Sequence, residues 1–151
     1  INCSKLTTLD VSNWDTSKVT NTSNMLANCS SLQTIDVSNW DTSKVTAMYD
    51  MFANCSNLQT LDVSNWDTSL VTNMSGIFYS CSKLTTLKWV NWLNSVSISS
   101  TAITRDVLYD LIENLGTPNT NKTLTLGTRL MSYLTDEQIQ SASNKNWTLV
   151  G

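Results

Sequence analysis

Apolar residues recur along the first two thirds of the chain in a repeated pattern. In one unit, Leu58, Leu61 and Val63 form Leu-x-x-Leu-x-Val, whose last two positions alternate like a strand with one buried face. The second half of that unit, residues 71–81, spaces its apolar side chains three and four apart, which predicts a short helix or 3₁₀ turn. The period is about 26 residues, as the cysteines show: Cys3, Cys29, Cys55 and Cys81. A fixed period of this length is typical of repeat units that stack on their neighbours.

The last third of the chain has a different pattern. Thr104 is predicted to cap a helix over residues 105–115, with Gly116 as its stop, and Thr135 to begin a second capped helix over residues 135–143. Strands are expected at residues 124–126 and 147–150. We therefore predict an α/β solenoid of the leucine-rich repeat class, with units of a strand plus a short helix or 3₁₀ turn. The repeat array is assigned to residues 1–98, and helix-strand capping units of the same solenoid to residues 99–151.

The repeated phrase is most complete over residues 35–55 and 61–81. It reads Leu-Asp-Val-Ser-Asn-Trp-Asp-Thr-Ser-x-Val-Thr-x-Met-x-x-Met-Phe-x-x-Cys and resembles the BspA-type leucine-rich repeats of bacterial surface proteins. The resemblance covers residues 3 to about 87. It implies a role in adhesion to host matrix proteins or to other cells.

Charge and hydropathy narrow the classes of partner. The net charge is −3, the chain has no histidine, and no basic patch is present for a phosphate backbone, which argues against nucleic acid. No stretch reaches the roughly 18 apolar residues of a membrane span.

The chain begins part-way into the repeat phrase without methionine, so we expect a piece of a longer protein that carries the targeting and anchoring segments.

Stacking in register would turn each repeat position into a column of residues about 5 Å apart. For the cysteine column, buried thiols are favoured; disulfides remain an alternative, and zinc is disfavoured because stacked thiolates cannot converge on one ion. For the tryptophan column, a packed aromatic ladder is favoured over sugar stacking. The aspartates that open Asp-Thr-Ser, namely Asp15, Asp41 and Asp67, are expected to form turns.

Candidate contacts come from two kinds of position. The outward strand columns predict one exposed face, in which calcium bridging of the aspartates is an open alternative without a supporting Asp-x-Asp-x-Asp loop. Isolated departures from the repeat, such as Tyr49, Tyr79 and Trp89, are candidates because binding hot spots favour Tyr and Trp, although Trp89 could equally fill the last unit. The candidate ligand-binding residues are Thr34, Asp36, Ser38, Tyr49, Thr60, Asp62, Ser64, Tyr79, Lys88 and Trp89.

The residue patterns predict a non-catalytic binding module, and the resemblance implies adhesion at the bacterial cell surface or outside the cell. Its expected partner is an extracellular protein or glycan, bound through the exposed strand face. The alternative is a structural spacer that projects another domain and has no ligand of its own. No catalytic residue, cofactor or metal is predicted, since a column of equivalent aspartates lacks the two unlike carboxyl groups that a glycoside hydrolase needs.

Overall fold

The computed structural model describes residues 3–151, so the first two positions of the predicted array lie outside the described residues. Strands β1 (Thr60–Asp62) and β2 (Thr86–Lys88) pair in parallel, with Asp62 opposite Lys88. An isolated parallel bridge joins Thr34 to Thr60. The middle residue of each strand is buried and the last is exposed, because successive side chains point to opposite faces. Equivalent positions of successive repeats therefore lie side by side.

The predicted leucine-rich-repeat α/β solenoid is wrong. The described residues form two short parallel sheets, and residues 3–104 contain no helix. The predicted helix over residues 71–81 is a series of turns in which Gly76 has φ +66° and Ser80 has φ +56°. Earlier units have left-handed residues at the equivalent positions: Asn24, Asn28, Asp50 and Asn54. A right-handed helix cannot continue through a residue with positive φ, so apolar side chains spaced three and four apart point inward from turns instead.

The C-terminal part contains the helices and the larger sheet. Its elements are β3 (Val96–Ser97), α1 (Arg105–Glu113), β4 (Lys122–Thr125), α2 (Gly127–Met131), α3 (Asp136–Asn144) and β5 (Trp147–Val150). The three strands form a parallel sheet in the order β3-β4-β5. The two predicted helices are confirmed as α1 and α3; the first ends at Glu113 with Asn114 as its C-cap, ahead of the predicted stop. Helix α2, which has no side-chain cap, was not predicted.

Local capping explains the two predicted helices. The Thr104 hydroxyl accepts a hydrogen bond from Val107 N at 3.5 Å, and the Thr135 hydroxyl accepts one from Gln138 N. The Gln138 side chain in turn accepts from Thr135 N at 2.9 Å, which completes a capping box. None of the helices in the described part of the chain is long and apolar enough to cross a membrane.

The cysteine column lies mostly inside the core. Cys29, Cys55 and Cys81 are buried, Cys3 is exposed, and all four are free thiols. The thiols of Cys55 and Cys81 each donate to a backbone carbonyl one repeat earlier, Leu26 O and Phe52 O, at 3.2 Å. Burial raises the pKa of both thiols to about 12, so they stay protonated and inert. The prediction of buried thiols is confirmed for Cys29, Cys55 and Cys81.

The tryptophans form the predicted aromatic ladder. The ring centroids of Trp14 and Trp40 are 5.9 Å apart, and those of Trp40 and Trp66 are 6.1 Å apart, with interplanar angles of 11° and 2°. Phe52 and Phe78 continue the stack. Trp14, at the outer end, remains 42% exposed. Stacking is therefore the main role of this column.

Candidate binding surface

A shallow groove of about 260 Å³ runs across the outward face of the strands. We call it the strand-face groove, and its lining residues are Ile35, Asp36, Thr60, Leu61, Asp62, Thr86 and Lys88. A second depression of about 290 Å³ shares Asp36 with it and is lined by Leu9, Asp10, Val11, Ser12, Asp36, Ser38 and Asn39. Together the two depressions cross all four repeats.

The parallel register determines which side chains meet in the groove. Thr60 lies opposite Thr86, and Asp62 lies opposite Lys88, because β1 and β2 are paired one repeat apart. Leu61, the buried middle residue of β1, also lines the groove. The groove therefore combines hydroxyl groups, carboxylates and one ammonium group along its outward face.

Serines two residues further along the chain hold the groove carboxylates in place. Asp36 Oδ1 accepts from Ser38 N at 3.0 Å. Asp62 Oδ1 accepts from Ser64 N at 3.1 Å and from Ser64 Oγ at 2.6 Å. Contacts with the serine side chain and backbone N–H lower the pKa of Asp36, and the Ser64 hydroxyl is the largest cause that lowers the pKa of Asp62. Both carboxylates are consequently ionised and oriented before any ligand arrives.

Lys88 adds an opposite charge at one end of the aspartate column. Its Nζ lies 3.6 Å from Asp62 Oδ2, and this is the single ion pair in the described part of the chain. The two side chains are 61% and 51% exposed, and exposed pairs of this kind contribute only about 0.2–1 kcal/mol. A ligand can therefore replace this contact at little cost.

The aspartates that open each Asp-Thr-Ser form the predicted turns. Asp15 Oδ1 accepts from Ser17 N at 3.1 Å, Asp41 Oδ1 from Ser43 N at 3.0 Å, and Asp67 Oδ1 from Ser69 N at 2.9 Å. The turn prediction for these residues is confirmed. Over residues 3–151, no three His, Cys, Asp or Glu side chains are grouped so as to hold a metal ion.

The isolated aromatic candidates lie in different places. Tyr49 and Tyr79 are 37% and 59% exposed, but neither lines the strand-face groove. Trp89 is only 1% exposed; its ring stacks on Trp92 at 4.6 Å, and its Nε1 donates to Leu111 O at 2.9 Å. It fills the core where the repeats meet α1, so it does not belong to the surface.

The structure adds groove residues to the candidate contacts. Ile35, Leu61 and Thr86 line the strand-face groove but were not among the candidate contacts. The repeat pattern placed Thr86 in the outward column of Thr34 and Thr60, although Thr86 was not kept as a candidate contact. Ile35 and Leu61 were missed because both are buried, and the sequence gives no signal that part of a buried residue borders a groove.

The strand-face groove lies within the part of the chain that matches a known protein family. A family model described as "Mycoplasma protein of unknown function, DUF285" matches residues 1–107, which include every residue of the strand-face groove. No curated protein and no solved structure matches the chain. The resemblance to BspA-type repeats stays a prediction.

Proposed function

The chain belongs to the DUF285 family, and we propose that it is a non-catalytic binding module for an extracellular protein or glycan. The observation that carries the proposal is the strand-face groove, with its oriented carboxylates, threonine hydroxyls and Lys88. The sequence resemblance to bacterial surface repeats supports a location at the cell surface or outside the cell.

The groove is suited to a ligand with hydrogen-bond donors along one side. Asp36 and Asp62 are held by Ser38 and Ser64, so binding costs little ordering of these side chains. Lys88 can exchange its exposed contact with Asp62 for an acceptor or an anionic group of the ligand. A protein segment or glycan that presents donors and then an acceptor meets this pattern.

The charge pattern argues against hydrolysis by a carboxylate pair. A glycoside hydrolase of the usual kind has one carboxyl group with a raised pKa, which acts as the acid. The pKa values of Asp10, Asp36 and Asp62 are all lowered, and contact with a neighbouring serine is the leading cause in each case. Equivalent groups of this kind supply no such acid, so we propose no enzymatic activity.

The spacer alternative has one observation in its favour. The Asp36 and Asp62 carboxylates already accept hydrogen bonds from their own turns, so these side chains also have a purely local structural use. A spacer would show the same serine contacts without any ligand. Binding measurements are therefore needed to separate the two proposals.

The test compares two double variants. Asp36→Asn with Asp62→Asn removes two charges from the strand-face groove, while the amide oxygen of Asn can still accept from the serine. Asp41→Asn with Asp67→Asn is the matched control, since these aspartates make the same serine contacts outside the groove. Both are assayed on arrays of matrix proteins and glycans, with melting temperature as the check on folding.

We expect the groove variant to lose about tenfold or more in affinity, because charge-assisted hydrogen bonds are lost, and the control to bind as the parent protein. Equal loss in both variants would contradict binding through the groove. No saturable ligand on any array would favour the spacer.

A further inference from the structure

Both arginines of the chain lie beside one tyrosine. The guanidinium carbon of Arg105 lies 5.4 Å from the centroid of the Tyr133 ring, and that of Arg129 lies 5.7 Å from it. All seven other basic residues of the chain are lysines. A guanidinium within about 6 Å of a ring centroid is attracted to the ring face, and any donor that it has left can recognise a carboxylate.

Arg129 is held in position by neutral acceptors. Its Nη1 donates to Ile103 O at 3.0 Å and to Tyr133 Oη at 3.3 Å, and its Nη2 donates to Thr101 O at 2.8 Å. Carbonyl oxygens satisfy the donors but leave the net charge in place. In the described part of the chain neither arginine has a carboxylate within ion-pair distance. Two positive charges, of which Arg129 is held by hydrogen bonds, therefore lie at one tyrosine with no carboxylate within ion-pair distance in the described residues.

An open cleft of about 380 Å³ lies beside these arginines. We call it the arginine cleft, and its lining residues are Ala102, Ile103, Thr104, Arg105, Asp106, Arg129 and Tyr133. Thr104 and Asp106 bring oxygen acceptors next to the guanidinium groups. The first turn of α1 also contributes its partial positive charge, since the cleft includes the N-cap residue. The cleft therefore offers a ligand both the arginine guanidinium groups and the oxygen acceptors of Thr104 and Asp106.

We propose that the arginine cleft binds an acidic sugar through its carboxylate. The guanidinium groups match the carboxylate, and Asp106 accepts from a neighbouring sugar hydroxyl. Asp106 and the net charge of −3 both repel a long polyanion, so the site takes a single terminal uronate rather than a heavily sulfated chain. No cleft residue lines the strand-face groove, so this proposal is independent of the groove's function.

The probe is glucuronate, titrated into isotope-labelled protein at constant ionic strength and followed by backbone and arginine side-chain NMR shifts. Glucose is the neutral control, and acetate tests the carboxylate alone. We expect saturable shifts at residues 103–106 and 129 with glucuronate, weaker binding of acetate, and no response to glucose. The double variant Asp36→Asn with Asp62→Asn should bind glucuronate unchanged, which separates this result from the groove.

Two variants identify the contacts. Arg105→Gln removes the guanidinium that lies over the Tyr133 ring and should weaken glucuronate binding about tenfold, because a charge-assisted hydrogen bond is lost. Lys18→Gln removes one exposed positive charge outside the cleft and should have no effect. Asp106→Asn should tighten acetate binding by removing repulsion but reduce the preference for glucuronate over acetate.

Four results would overturn the proposal. The first is the absence of saturable shifts with glucuronate, and the second is equal affinity for glucuronate and acetate. The third is tighter binding of a blocked glutamate amide than of glucuronate, which would assign the cleft to acidic peptides. Wild-type affinity in Arg105→Gln would equally remove Arg105 from the site.

Discussion

Replacing Gly76 with alanine distinguishes turns from helix in the repeats. Gly76 has φ +66°, and a Cβ placed there would lie 2.0 Å from Asp50 Oδ1 and 3.1 Å from Asp50 Cγ. Gly76→Ala therefore meets two obstacles in the folded state, a left-handed backbone and a neighbouring carboxylate. If residues 71–81 were helical, the same change would remove a helix-breaking glycine.

The turns and a helix over residues 71–81 predict opposite signs for the effect of Gly76→Ala on the free energy of unfolding. The left-handed conformation costs an alanine about 1–2 kcal/mol, and the contact with Asp50 adds to this until the carboxylate rotates away. In a helix, alanine would stabilise by about 1 kcal/mol relative to glycine. For a total cost of about 2 kcal/mol, at about 2–4 °C per kcal/mol for a chain of this size, we expect the melting temperature to fall by about 4–8 °C.

Urea denaturation followed by tryptophan fluorescence measures the change in the free energy of unfolding. Ser80→Gly is the reciprocal variant: Ser80 has φ +56°, so glycine should stabilise the turn by about 1 kcal/mol but would destabilise a helix. Gly76→Ala made in an Asp50→Gly background isolates the steric part, because glycine removes the carboxylate and accepts the φ of +53° at position 50. Stabilisation by Gly76→Ala together with destabilisation by Ser80→Gly would refute the turn structure.

Two further predictions concern ionisation and thiols. Serine contacts lower the folded-state pKa of six aspartates below the ordinary 3.8: Asp10, Asp15, Asp36, Asp41, Asp62 and Asp67. The contribution of these serine contacts to the free energy of unfolding is therefore complete above pH 3.8. It is lost as the pH falls through the lowered pKa values. The urea midpoint should fall as the pH is lowered below the ordinary value of 3.8; a midpoint that stays constant on this acidification would contradict the reasoning. A thiol reagent should modify the exposed Cys3 in the native protein and all four cysteines after denaturation. Rapid native modification of Cys55 would contradict its burial, and missing thiols after denaturation would indicate disulfides.

The C-terminal helices were predictable because their signals are local. Thr104 and Thr135 cap amides within the next three residues, and Gln138 completes its capping box without help from the rest of the fold. The repeats were harder. Apolar spacing of three and four is shared by a helix and by consecutive turns, and hydrophobicity carries no information on the sign of φ. Asn, Asp and Gly at the left-handed positions were the available signal.

The surface was predictable only in part, for a related reason. The repeat period places Asp36, Asp62 and Lys88 in one outward column, and the structure brings them to one groove. The sequence could not decide the environment of Trp89, which depends on α1 packing against the end of the repeats. Arg105 and Arg129 are 24 positions apart and have no shared motif, so their meeting at Tyr133 was not predictable.

The sequence by itself determined the period, the columns of equivalent residues and the capped C-terminal helices, because each depends on spacing or on contacts within a few residues. Tertiary structure decided that the second half of each repeat forms turns and that Trp89 fills the core. It also decided that the strand-face groove and the arginine cleft exist. These features depend on backbone conformation and on residues distant in the chain, since a groove or a buried site is formed only when separate segments pack together.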